Sequence, residues 1–169
     1  MTKRPPLLPE ETFQRVTRVA NIDGLSVLAV AGFLALAAAS GRDFQGAAVG
    51  LLVAAAGAIE LHGLGLLRAG HARGMNWLIA SQPYLMAVLL AYCAWSLLFA
   101  TVPPIPKEMA PLIAENARQL GLSSEDYLRA VAKIAYGTIA VVTVCYQGGL
   151  TLYYLQRKPA VTAAVETEI

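Results

Sequence analysis

Phe44–Arg68, FQGAAVGLLVAAAGAIELHGLGLLR, decides the reading of this chain. At about 1.5 Å of rise per residue, such a helix outreaches the roughly 30 Å hydrocarbon core of a bilayer. Its interior is apolar apart from Glu60 and His62. Insertion scales charge an acid at mid-membrane roughly 2.5–3.5 kcal/mol, so Glu60 needs a reason to be there. A neutral, hydrogen-bonded carboxyl is the cheaper form.

The rest of the composition agrees with a membrane setting. Hydrophobic residues make up 57% of the chain and charged residues 14%, against about a quarter charged in soluble domains. A net charge of +2 gives no footprint for nucleic acid. The expected class is all-α: an integral membrane four-helix bundle in contact with the lipid bilayer. It carries an extramembrane helical hairpin between spans 3 and 4 and a short N-terminal interfacial helix.

Upstream, residues 1–21 read as a polar or interfacial segment. Pro5, Pro6 and Pro9 keep its start extended, and Pro9 can open a helix. Phe13, Val16 and Val19 or Ala20 then recur at helical spacing beside Arg15 and Arg18, which suits a surface helix or a solvated basic arm. The membrane domain is expected over 22–158. Its first span, about 22–39, ends in small residues like a secretory signal. The long, helix-patterned leader argues for a retained span. After a turn at Ser40–Asp43 comes span 44–67, and a turn at 70–76 leads to span 77–102, with Trp77 at an interface position. Pro103, Pro104 and Pro106 end that span.

The outer loop, 107–133, is itself patterned as helix. Met109, Leu112, Ile113, Ala117 and Leu120 form an apolar stripe, and Gly121 is placed to stop it. Ser123, with Asp126 three residues on, starts a helix as a variant capping box. That helix runs unbroken into span 134–155. Tyr153 and Tyr154 are expected as an aromatic belt, and residues 159–169 as a flexible tail. Eight Lys and Arg fall on the face with both termini and five on the other. The positive-inside rule therefore places both termini in the cytoplasm.

At about 100° per residue, Gly46, Gly50, Gly57 and Glu60 share one face of the second span within about 80°, while His62 lies about 200° from Glu60. The glycines are the expected helix-packing surface. Measured from the basic cytoplasmic flank, Ser26, Glu60, Gln82 and Gln147 sit roughly 10–15 Å deep, with Asp23 a little shallower. Gly24, Gly63 with Gly65, Pro83 and Gly148-Gly149 mark possible weak points of the four helices at the same level. Tyr136, Ala140, Thr143, Gln147 and Tyr154 form a stripe on the fourth span. On the third, Ser81, Tyr84, Tyr92 and Trp95 share a face.

These positions give a ligand or ion pathway of Glu60, Gln82, Gln147, Ser26, Asp23, Thr143 and Tyr84. The bland account of each is helix glue, since Ser, Thr, Gln and Tyr commonly bridge membrane helices at up to about 1–2 kcal/mol apiece. No phosphate loop, nucleotide fingerprint or zinc spacing is present, so no cofactor and no metal is expected. Ser26 and Ser81 have no histidine base in the same helix, and no catalytic residue is assigned. Cys93 and Cys145 sit at different depths, which argues against a disulfide.

Three functions fit. The first is a homo-oligomeric channel or small-solute transporter centred on Glu60. The second is a non-enzymatic accessory subunit that docks a protein partner on its outer hairpin. The third is a quinone- or lipid-binding membrane enzyme whose site would be lined by Tyr84, Tyr92, Trp95 and His62.

Overall fold

The computed structural model describes residues 8–99 and 109–167 of the chain. It is all-α. The helices are α1 (Pro9–Ser40), α2 (Phe44–Arg68), α3 (Gly74–Phe99), α4 (Ala110–Gln119) and α5 (Ser124–Thr167). α1, α2, α3 and α5 are each long and apolar enough to cross a membrane. Pro5 and Pro6, the Pro103-Pro104-Pro106 stop and the last residues expected in the third span lie outside the described residues.

α1, α2 and α4 each stop where the chain supplies a left-handed residue. Gly70 and Gly121 have positive φ. The amide of Leu122 returns to the Ala117 carbonyl and that of His71 to the Leu66 carbonyl, the pattern of a Schellman cap. α1 ends the same way, with Asp43 N–H bonded to the Ala38 carbonyl. There the left-handed position is Arg42, at φ 60°. Asp43 then caps α2 by accepting from the Gly46 amide at 2.9 Å. At α5 the expected box is formed: the Asp126 amide donates to Ser123 Oγ at 3.1 Å, and Ser123 Oγ donates to Asp126 Oδ2 at 2.7 Å.

Two boundaries differ from the sequence expectation. No separate interfacial helix precedes the first span, because α1 is a single helix of 32 residues from Pro9. Nothing between Pro9 and Ala20 interrupts it, and Thr12, Val16 and Ala20 are buried along one side. Nor does the chain loosen after Pro159, which lies inside α5. An internal proline removes one helix hydrogen bond. Here the helix is held by packing beyond it, with Val161 and Val165 buried. At 44 residues, α5 is roughly 66 Å long, about twice the hydrocarbon thickness.

The chain divides into two compact units, one of residues 1–88 and 144–169 and the other of 89–143. In the first, Val16 and Ala20 of α1, Leu67 of α2, Met75 and Leu78 of α3, and Tyr154 and Val161 of α5 make one buried apolar cluster. The second comprises the end of α3, α4 and the first half of α5. Tyr92 and Tyr136 meet edge to face there, with ring centres 5.9 Å apart. Ile113 and Ala117 of the α4 stripe are buried, while Met109, Leu112 and Leu120 are exposed. Both cysteines are free thiols.

Candidate functional site

The site begins at the crossing of α1 and α2. A Cβ added to Gly57 would stand 2.6 Å from the Gly24 carbonyl oxygen and 2.7 Å from the Leu28 amide nitrogen. Only hydrogen fits there. One level away, a Cβ on Gly50 would meet the Cβ of Ala35 at 2.8 Å. The two backbones therefore touch, and the residues flanking the contact are brought together. Asp23 precedes Gly24 in α1, and Glu60 follows Gly57 by one turn of α2.

Both acids are met by phenols from α5. Tyr154 Oη donates to Glu60 Oε1 at 2.6 Å. Tyr146 Oη donates to Asp23 Oδ1 at 2.9 Å. Asp23 and Gln82 stand beside Glu60 within interaction range, and Asp23 is also within electrostatic reach of Tyr154. From α3, Gln82 is oriented by a short relay. Ser81 Oγ gives its proton to the Leu78 carbonyl at 2.9 Å, so it can only accept from Gln82 Nε2, at 3.2 Å. The amide nitrogen is thereby used and its oxygen left over.

Gln82 at 1% exposure, Glu60 at 2%, Gln147 at 5% and Asp23 at 8% are all more than nine-tenths buried, as are Ser81 and Tyr154. Three buried oxygens have no donor: Asp23 Oδ2, Gln82 Oε1 and Gln147 Oε1. Gln147 lies seven residues before Tyr154 on α5, within about 20° of the same face. Among the described residues the ion pairs are Arg118–Glu115 and Arg129–Glu125, both on the surface and both remote in sequence from the two acids. No Lys or Arg compensates Asp23 or Glu60 among the described residues.

The expected pathway residues thus separate. Glu60, Asp23 and Gln82 come together, and Gln147 is buried on the face of α5 that carries Tyr154. Ser26 stands apart from them: it is exposed and bonds back to the Ile22 carbonyl at 2.6 Å. It sits about 200° around α1 from Gly24 and so turns away from α2. Tyr84 is half-buried and has no hydrogen bond to this layer. Thr143 is buried but belongs to the second unit.

The glycine face is corrected in part. Gly50 and Gly57 pack on α1 of the same chain. A Cβ on Gly46 would instead strike Asp43 Oδ2, so Gly46 makes room for the N-cap. The glycines at this level do not break their helices. Gly24 admits α2, and Gly63 admits α3, since a Cβ on Gly74 would stand 2.4 Å from the Gly63 carbonyl oxygen. Tyr154 is not part of an interfacial belt; it is fully buried. Tyr146 was not foreseen at all. Its neighbour Gln147 drew attention to the face, but an exposed tyrosine one residue away gives no sign of reaching α1. His62 is exposed and meets Trp77 edge to face at 5.3 Å, whereas Trp95 pairs with Phe99.

No protein-family model matches the chain, and no curated protein or solved structure shows significant similarity to it. The class defined by fold and composition is an all-α protein with four candidate membrane spans.

Proposed function

We propose that this is a multi-pass membrane protein, both termini cytoplasmic, whose inner-leaflet polar layer binds a solute or ion in a homo-oligomeric channel or transporter. One observation carries the reading: three deeply buried oxygens, on α1, α3 and α5, lack donors. Groups that only bridge helices are expected to be satisfied by one another, because an unpaired polar atom in a low-dielectric interior is costly. Acceptors kept open around an acid suit a ligand that arrives and leaves. Four spans leave little width for a pathway in one subunit, which favours assembly. That assembly uses a surface other than the Gly50–Gly57 face, which α1 occupies.

The accessory-subunit reading draws on a different observation, the exposed Leu112 and Leu120 on α4 and its following turn. Flux through reconstituted vesicles decides between them. The Glu60→Gln protein is expected to assemble normally and to show altered flux. Wild-type vesicles that pass no small solute, or a Glu60→Gln flux equal to wild type, would favour the accessory role.

A further inference from the structure

The open atoms of this layer share one character. Asp23 Oδ2, Gln82 Oε1 and Gln147 Oε1 are all acceptors. The phenolic protons of Tyr146 and Tyr154 are already committed to Asp23 and Glu60, and the Gln82 amide nitrogen donates to Ser81 and stands beside Glu60. An anion would meet two carboxyls here. A positive ligand needs only what is present.

Charge points the same way. Two carboxyls share a low-dielectric interior with no Lys or Arg beside them among the described residues, an arrangement neutralised by protonation of a carboxyl, by a bound cation, or by both. The donor set is hard: carboxylate and amide oxygens, with His62 turned outward and no thiol at the layer, which disfavours zinc or copper. Magnesium keeps several waters and demands near-octahedral geometry, and calcium takes 6–8 oxygens. With one of the two carboxyls in its cheaper neutral form, a single negative charge remains, which a monovalent cation balances and a divalent one exceeds.

We propose that the layer is a binding site for an alkali-metal cation that keeps part of its water shell, ligated by Asp23, Gln82, Gln147 and Glu60. The proposal rests on the reading of this layer as a ligand site and adds the chemical class of the ligand. Tyr146 and Tyr154 hold the carboxyl groups in place by occupying one oxygen of each. Gly24 and Gly57 set the distance between the two acids.

The full chain in lipid nanodiscs, titrated calorimetrically with NaCl and with KCl against choline chloride at constant ionic strength, tests this. Saturable binding of one of the two metal ions is expected, together with a raised unfolding temperature. Asp23→Asn and Gln82→Leu should each weaken binding about tenfold or more, equivalent to about 1.4 kcal/mol, while the exposed Ser26→Ala leaves it unchanged. The wild-type titration stands even if a variant fails to fold. Heats equal to those of choline, stabilisation by calcium or magnesium alone, or undiminished binding by Asp23→Asn would overturn the proposal. Saturable sodium or potassium binding without any flux would sink the transport reading and leave the cation site standing. Flux of an uncharged solute with no cation binding would do the reverse.

Discussion

Tyr154 and Glu60 lie 94 residues apart in the chain and 2.6 Å apart at their oxygens, inside a region where neither side chain meets solvent. A bond of this kind is worth most when one partner is removed, because the survivor keeps its desolvation penalty. Tyr154→Phe leaves Glu60 Oε1 without its donor, and a loss of about 1–3 kcal/mol is expected. Tyr146→Phe acts at a partly exposed bond, so about 0.5–1.5 kcal/mol is expected there. Unfolding in detergent, compared at matched conditions, measures both. Equal losses at the two positions would contradict the difference in burial.

Close approach of α1 and α2 makes a second prediction. Gly57→Ala places a methyl group against backbone atoms of Gly24 and Leu28 that cannot rotate away. The helices must separate, at a cost of about 1–3 kcal/mol, and Asp23 is drawn off Glu60. Gly65→Ala in the same helix meets nothing within 4 Å, so it should be neutral or slightly stabilising through helix propensity. A crosslink between cysteines introduced on the two helices would report the separation directly.

The turn between α1 and α2 offers a gain. Arg42 holds a left-handed conformation at φ 60°, which strains an L-residue by roughly 1–2 kcal/mol. Glycine removes that strain but adds about 0.5–1 kcal/mol of entropy to the unfolded chain. Arg42→Gly is therefore expected to stabilise by about 0.5 kcal/mol, with helix content unchanged by circular dichroism.

Beyond Pro159 the chain is structural. Val161 is fully buried and belongs to the cluster with Val16 and Leu67. Val161→Ala should cost about 1.5–2 kcal/mol, near 0.8 kcal/mol for each carbon lost. Proteinase K should trim Val161→Asp back toward Lys158 and leave the wild type intact through Val165. Equal trimming of both would show that the end of α5 does not pack.

The candidate spans were legible in the sequence because each apolar run is long, and several of the turns carry a glycine or a capping side chain. Gly70, Gly121 and the Ser123–Asp126 pair announce themselves locally. Residue counts from the charged flanks also pointed to Asp23, Glu60 and Gln82, which the fold brings together. Rotation was not legible. Ser26 turns away from α2, because the azimuth of α1 is fixed by where Gly24 meets Gly57, a tertiary fact. Likewise the angle between Gln147 and Tyr154 was available, but which neighbour Tyr154 faces depends on helix order in the first unit. The tail was misread because Pro159 is a local stop signal that Val161 and Val165 override from a distance.

The acids of α1 and α2 are synthesised early and the phenols that serve them late. A ribosome adding about 5–20 residues per second needs roughly 5–20 s to travel the 94 residues from Glu60 to Tyr154. Throughout that interval the nascent first hairpin holds two carboxyls whose permanent partners do not yet exist. A chain that ends before α5 lacks both phenols, so its two acids keep their desolvation penalty without these donors.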